Sequence, residues 1–320
     1  MTPLSFLVLT DHRGHSTQNS LYALVTTLAR DPRCARVAVA SRGDARNEAF
    51  FRNSPEPSEE VWGFQVREEL KFAADGGRFN GELAPLHPED YDVVWLRLPH
   101  PVQTERFERL QRPGTLVVND PAGIARTGDK SFLLHFPEWT PPVRLVHSAG
   151  EVRTFARNFP LVLKPLRAYG GQGIVRVDGP DALPDLDFRE PYLAMKFLKN
   201  VSEGDKRILV VNGKILAASL RIPPPGEWLC NVARGGTSVG ADVTPEEIEL
   251  IDALAPELLR HGICFCGVDT LTNDDGRRVL SEINTLSIGG FPQAEAQTGR
   301  PILQQTIDEF LTYCHDHLTR

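Results

Sequence analysis

Asp269, Glu282 and Asn284 are the residues whose types and spacing first suggest chemistry. Gly267–Leu271 and Val279–Asn284 read as apolar strands joined by the turn signal Asn273-Asp274-Asp275-Gly276. In an antiparallel hairpin the start of the first strand faces the end of the second. Asp269 is therefore expected opposite the Glu282–Asn284 region, and Glu282 and Asn284, two apart, share a face. Three oxygen ligands at one point of a sheet make the hard environment that Mg²⁺ uses together with water and phosphate. Surface carboxylates beside a hairpin are the alternative. The apolar neighbours on both strands argue for burial, which without a cation would be costly.

A second group is built for anions. Leu161-Val162-Leu163-Lys164-Pro165 puts a lysine at the end of an apolar strand, and Ala168-Tyr169-Gly170-Gly171-Gln172 follows as a hairpin turn before a strand over 173–177. Glycines let backbone amides approach a phosphate closely, and the lysine adds charge. A plain tight turn would look the same. No Gly-Lys-Ser/Thr follows and strands flank the turn, which excludes a Walker loop and a dinucleotide fingerprint. Lys130, Arg207 and Arg221 add cations. Arg207 opens one predicted strand and Arg221 closes the next, so antiparallel pairing could bring them close, and two adjacent guanidiniums need an anion between them. The Lys206-Arg207 pair is too small for a duplex but suits one triphosphate. The stretch Ile222–Gly240, with Pro223-Pro224-Pro225-Gly226 and little periodicity, reads as a long loop, a candidate lid that keeps water from a reactive intermediate.

The elements that must position these residues read as α/β. Strands at Phe6–Thr10, Val37–Ala40, Asp92–Leu98 and Val117–Asn119, with a helix over Asn19–Arg30, imply a doubly wound N-terminal sheet. Later strands fall at Arg207–Val211, Lys214–Leu220, Phe265–Leu271 and Arg278–Ile283. A helix over Pro245–His261 is capped by Thr244 with Glu247 at the capping-box position, and Ile302–Thr319 is a closing helix. The expected division is residues 1–120, 121–194 and 195–320. A net charge of -7 with no basic run argues against nucleic acid as the main partner, and no stretch approaches a membrane span. Met1–Thr10 lacks the basic start of a signal peptide. Five scattered cysteines fit a reduced cytoplasmic protein, with Cys264 and Cys266 on one strand face as core residues. Cys314-His315-Asp316-His317 is metal-like in composition only, because residues two apart on a helix point apart.

Taken in order, Asn119-Asp120-Pro121, Lys130, Leu163-Lys164-Pro165, Gly170-Gly171, Gly204-Asp205-Lys206-Arg207, Arg221-Ile222-Pro223, Asn231, Gly235-Gly236, Gly267-Val268-Asp269 and Glu282-Ile283-Asn284 resemble the ATP-grasp superfamily, and within it bacterial glutathione synthetase. The resemblance runs from about Tyr91 to Ile283. It implies an ATP-grasp fold behind an N-terminal doubly wound domain, with ATP and Mg²⁺ (Mn²⁺ as a substitute ion) as cofactors. Lys130 and Lys164 would hold phosphates under the Gly170–Gly171 loop. Lys196, Phe197 and Leu198, following Met195, would form the hinge that takes adenine through backbone groups. Asp205 would reach the ribose and Arg207 a phosphate. Arg221 would stabilise the tetrahedral intermediate, and Asp269, Glu282 and Asn284 would hold magnesium. The implied reaction joins a small-molecule carboxylate to an amine through an acyl phosphate, and a homo-oligomer is a family expectation.

The departures fall at positions expected to face substrate. The family's Gly-Glu-Thr-Arg-Gly-Asn lid is Gly226-Glu227-Trp228-Leu229-Cys230-Asn231 here. Its Arg-Lys-Asp-Pro-Pro is Arg97-Leu98-Pro99-His100-Pro101. After the metal asparagine, its Val-Thr-Ser-Pro-Thr and arginine become Thr285-Leu286-Ser287-Ile288-Gly289-Gly290-Phe291-Pro292. Arg97, Asn231, Gly235, Gly236 and Ser287 are the candidate substrate residues. Phe291 and Pro292 are expected beside the arriving amine in place of a cation. The leading expectation is a ligase with altered substrates. Glutathione synthetase proper and a non-catalytic nucleotide binder are the alternatives, and an intact Arg221 disfavours the second.

Overall fold

The computed structural model describes residues 2–52, 58–228 and 236–318. The first sheet contains β1 (Leu4–Thr10), β2 (Cys34–Ser41), β3 (Val61–Val66), β4 (Ala84–Leu86), β5 (Val93–Arg97) and β6 (Leu116–Val118), in the order β4-β3-β2-β1-β5-β6. Strands β2, β1, β5 and β6 run parallel, while β3 and β4 add an antiparallel edge. That edge escaped the sequence reading because Val61-Trp62-Gly63-Phe64-Gln65-Val66 breaks its alternation at a glycine. The connection from β1 to β2 is α1 (Ser20–Arg30), capped by the Asn19 side chain on the Leu21 amide. A short helix α2 (Glu48–Phe51) follows β2. The order reverses between β1 and β5, so the carboxyl ends of these strands flank the crevice where such sheets bind ligands.

After β6, Asp120 caps α3 (Pro121–Thr127) through the Gly123 amide, with Pro121 in the first turn. The second sheet holds β7 (Val143–Val146), β8 (Leu161–Pro165), β9 (Val175–Val177) and β10 (Tyr192–Lys196) in the order β7-β10-β8-β9, under α4 (Ala149–Phe155). Leu161, Leu163 and Ala194 pack in the cluster with Val152 of α4. On the other face of these strands stand Val162, Lys164 and Met195.

The third sheet is antiparallel: β11 (Asp205–Val211), β12 (Lys214–Ile222), β13 (Thr237–Ala241), β14 (Phe265–Thr272) and β15 (Arg278–Asn284), ordered β13-β12-β11-β14-β15. Asn212 and Gly213 turn β11 into β12 with φ of 51° and 73°, the left-handed pair that a two-residue hairpin requires. α5 (Pro245–Arg260) carries the full capping box of Thr244 and Glu247. Glu247, fully buried, also takes Lys206 Nζ at 2.7 Å and the Thr270 hydroxyl at 2.6 Å, fixing α5 beneath the sheet. Lys206 is therefore structural. It adjoins Arg207 in sequence, but consecutive strand residues point to opposite faces. The expected loop over Ile222–Gly240 is shorter than its sequence suggested. Thr237–Ala241 pairs with β12 as an edge strand whose residues are mostly exposed, so no apolar alternation marks it.

The first and third sheets share two apolar clusters. α6 (Phe291–Thr298) leads into α7 (Ile302–His317), whose Phe310 ring lies 4.7 Å from Trp95 of β5 and 5.0 Å from Phe265 of β14. Cys264 and Cys266 enter different clusters, contrary to the expected shared face, because β14 begins only at Phe265. One side chain joins the sheets most directly. Asn119 donates through Nδ2 to the carbonyls of Phe265 and Thr285, both at 2.7 Å, and accepts the amides of Cys264 (2.9 Å) and Phe265 (2.8 Å) on Oδ1. Replacing Asn119 by Ala would strand four buried backbone groups. We expect a loss of roughly 3 kcal/mol or more, read as a lowered denaturation midpoint with an unchanged denaturant slope. A loss below about 1 kcal/mol would show that the clamp is dispensable.

Candidate active site

The floor of the site is one face of the third sheet. Arg207 stands opposite Asp269 across β11 and β14, and Asp205 stands opposite Arg221 across β11 and β12. Alternation places all four on the same face. Arg207 forms a two-pronged bridge, Nε to Oδ1 at 2.7 Å and Nη2 to Oδ2 at 2.6 Å of Asp269. Arg221 donates Nη2 to Asp269 Oδ2 at 2.8 Å and Nε to Asp205 Oδ1 at 2.5 Å. The anion expected between the two guanidiniums is thus Asp269 itself, with Asp205 behind it. Burial would raise the pKa of Asp269, but Arg207 and Arg221 outweigh it and hold the carboxyl down to about 2. Asp205 moves upward through burial and the neighbouring Asp269 charge.

A β-bulge brings the third partner in. Thr270 pairs with Leu280, yet Asp269 pairs with Glu282, so Ser281 is the extra residue. In unbroken register Asp269 would face Ser281, and Glu282 would be turned to the opposite side. With the bulge, Glu282 and Asn284 join the face of Asp269, and Asn284 Nδ2 donates to Asp269 Oδ2 at 3.2 Å. The displaced Ser281 receives Lys164, whose Nζ donates to its carbonyl at 3.1 Å and its hydroxyl at 3.2 Å.

The roof comes from the second sheet. Lys164 is buried on β8, where desolvation pushes its pKa down against the pull of Glu282. Lys130 Nζ lies 3.4 Å from Glu282 Oε1 and donates to the Ala168 carbonyl of the glycine-rich loop. Gly170 and Gly171 take φ of 64° and 74°, which side chains resist. Between floor and roof is a cavity of about 300 Å³. Its lining combines apolar side chains (Val162, Ile174, Leu198, Leu271) with Lys164, Arg207, Arg221, Glu282 and Asn284. At the hinge, the Lys196 amide bonds the Pro142 carbonyl at 2.9 Å and the Phe197 amide bonds Pro160 at 2.8 Å. These two N–H groups anchor the hinge, while Met195, Lys196, Phe197 and Leu198 all line the cavity.

The structure therefore gathers Lys164, Gly170, Gly171, Lys196, Phe197, Leu198, Asp205, Arg207, Arg221, Glu282 and Asn284 around one cavity, with Lys130 and Asp269 against it. Asn231 and Gly235, with Leu229, lie outside the described residues, and Gly236 directly precedes β13. Arg97 is buried away from that cavity. Its Nη2 donates to the Ile288 carbonyl at 2.7 Å, and burial lowers its pKa to about 10. Ser287 donates to the Arg97 carbonyl at 3.2 Å. Phe291 is fully buried in the core beneath Phe265, so it cannot flank an arriving amine as expected. Ile288 is likewise core. These departures repack the interior. Ser281, Leu271 and Trp228 were missed. Only the bulge reveals Ser281, and Leu271 could have been found from its parity with Asp269.

Asp269, Glu282 and Asn284 offer two carboxylates and an amide oxygen, a donor set suited to a hard divalent cation. Among the described residues, no group of three or more His, Cys, Asp or Glu is placed to hold a metal ion, so the Asn284 amide would be the third donor here. The description "Prokaryotic glutathione synthetase, ATP-grasp domain" matches residues 129–299. The chain belongs to this family. It is similar to the glutathione synthetase of Rhodopseudomonas palustris, 36% identical over 73% of this chain and 77% of that protein. It is 35% identical to that of Parasynechococcus marenigrum, over 68% and 74%. The fold is also that of D-alanyl-alanine synthetase A from Vibrio cholerae O1 biovar eltor, with TM-score 0.59 at 17% identity over 99% of both chains. Membership of the family makes this chain an ATP-dependent carbon–nitrogen ligase.

Two tests arise here. Lys164→Met should weaken binding of a non-hydrolysable ATP analogue about tenfold or more, the worth of a charged hydrogen bond. Its melting midpoint without nucleotide should stay within a few degrees, because the replaced volume is similar. Calorimetry showing unchanged affinity would remove Lys164 from the phosphate site. The second concerns pH. Burial chiefly lowers His15 and His100 to about 4, from an ordinary value near 6.5. The folded state then binds fewer protons than the unfolded chain between those values. Their contribution to stability is complete above about pH 6.5 and is lost as pH falls towards 4. Urea midpoints should decline through this window, and His15→Gln with His100→Gln should flatten the decline. An equal slope in the double variant would assign it to other groups.

Proposed function

We propose that the chain joins a small carboxylic acid to an amine by the acyl-phosphate route, with Mg²⁺ accompanying ATP. The observation that carries this reading is the bulged register of β14 and β15. It sets Glu282 and Asn284 beside Asp269 and, through Ser281, fixes Lys164 over them. Adenine packs on the apolar lining beside the 195–198 hinge, with Asp205 towards the ribose. Lys130, Lys164, Arg207 and the Gly170–Gly171 loop hold the phosphates. Asp269, Glu282 and Asn284 hold the metal, which when bound neutralises phosphate charge.

The acid's carboxylate oxygen attacks the γ-phosphorus in line, the bridging P–O bond breaks, and ADP leaves. The amine then attacks the carbonyl carbon. Arg221 meets the developing oxyanion, and the C–O bond to phosphate breaks as the amine's proton passes to solvent. This chemistry is positioning and charge stabilisation and needs no protein nucleophile. The free thiols of half-buried Cys34 and of buried Cys264, Cys266 and Cys314 support a reducing, cytoplasmic setting. Among the described residues, no helix is long and apolar enough to cross a membrane.

Glutathione synthesis itself is the second reading, favoured by the names of the relatives. We assign a different acid because the rim that follows β5 has lost two charges relative to the family. Leu98 is fully buried where the family has lysine, and Pro99 replaces aspartate. Magnesium-dependent ADP release with γ-glutamylcysteine and glycine should therefore stay far below the ~10⁴ M⁻¹s⁻¹ of a dedicated enzyme. Reaching that efficiency would restore glutathione synthetase proper. With whichever acid and amine are turned over, Glu282→Gln should lower turnover by at least about a hundredfold and leave the fold intact, consistent with loss of a charge-stabilising contact. Near-normal turnover would refute the metal assignment.

A further inference from the structure

The glycine-rich loop is attached to the first sheet by a ring-on-ring contact that its phosphate-binding role does not require. Tyr169, at the loop tip between β8 and β9, lies flat on His100, in the turn after β5. Their centroids are 3.3 Å apart and the planes diverge by 10°. Both sides of the contact are anchored. Arg42 donates to the carbonyls of Pro101 at 2.8 Å and Pro99 at 3.2 Å while its Nε binds buried Asp11 at 2.8 Å, which fixes the turn that presents His100. On the loop side Lys130 donates to the Ala168 carbonyl, and its Nζ lies 5.4 Å from the Tyr169 ring centre. One ammonium therefore touches the loop tip, the aromatic ring and Glu282. A Cβ placed on Gly171 would meet nothing within 4 Å.

We propose that His100 and Tyr169 form a clasp that locks the glycine-rich loop, closed over the phosphates, onto the acid-side rim of the first sheet. Both are positioning residues. They act through Lys130 and the loop backbone, and they link nucleotide closure to the part of the molecule that would present the acid. Neutral His100 suits the role, since burial beside Lys130 and Arg42 disfavours its protonation.

The inference rests on the nucleotide-site reading, and the experiment separates the two. Arg167, whose side chain is 79% exposed, marks a tryptic site immediately before the loop tip. Cleavage after Arg167, identified by fragment mass, is timed with and without Mg²⁺ and a non-hydrolysable ATP analogue. Wild-type protein should be protected, and no protection there would overturn the phosphate-loop assignment itself. Given protection, Tyr169→Ala and His100→Ala should each be cut faster in the presence of the analogue. Each should bind it about two- to tenfold more weakly, the worth of one aromatic pair. The double variant should be no worse than either single one, Tyr169→Phe should behave as wild type, and melting without nucleotide should be unchanged in all four. Full protection in the alanine variants, additive losses in the double variant, or a Tyr169→Phe as impaired as Tyr169→Ala would each overturn the clasp.

Discussion

A carboxylate held out of water between two guanidiniums organises this protein. Asp269 is almost fully buried, and isolating such a charge would be prohibitive. Arg207 and Arg221 remove that cost, but only if β11, β12 and β14 are in the one register that brings both to it. The electrostatics therefore select the pairing of the sheet. In turn, the sheet sets four charged groups on one face at fixed separations. The same low-dielectric setting makes the arrangement strong and makes any error in it expensive.

The two faces of the third sheet divide the labour. Arg207 serves the cavity, and its neighbour Lys206 disappears beneath the sheet to neutralise Glu247. One strand thus carries chemistry on its odd residues and anchorage on its even ones. The arrangement holds only because Glu247 is bound by its own capping box and by Thr270 as well.

Much of this was legible in the residue order. Apolar runs exposed the strands bearing Asp269 and Glu282, the Asn273–Gly276 turn exposed their pairing, and the Thr244–Glu247 box exposed the start of α5. The failures have specific physical causes. A bulge leaves no mark in composition, so Ser281 went unnoticed although it decides which way Glu282 points. Exposed edge strand β13 has no apolar face to betray it. Phe291 and Ile288 read as lining groups because linear neighbourhood to Asn284 suggested the cavity, whereas the chain turns into the core immediately after β15. The Tyr169–His100 contact joins residues distant in sequence on separate sheets, and neither residue type announces a partner.

The position of α7 has a consequence for biosynthesis. Phe6, Trp95 and Phe265 are all roofed by Phe310, so one face of the first sheet is completed by a helix translated after every strand it covers. On the ribosome, β1, β2 and β5 can assemble early, yet their apolar surface must wait for residues 302–317 before it is dry. Nascent chains of this protein thus pass through a long interval in which a hydrophobic sheet face is exposed, the condition that recruits chaperones and invites association between neighbouring chains.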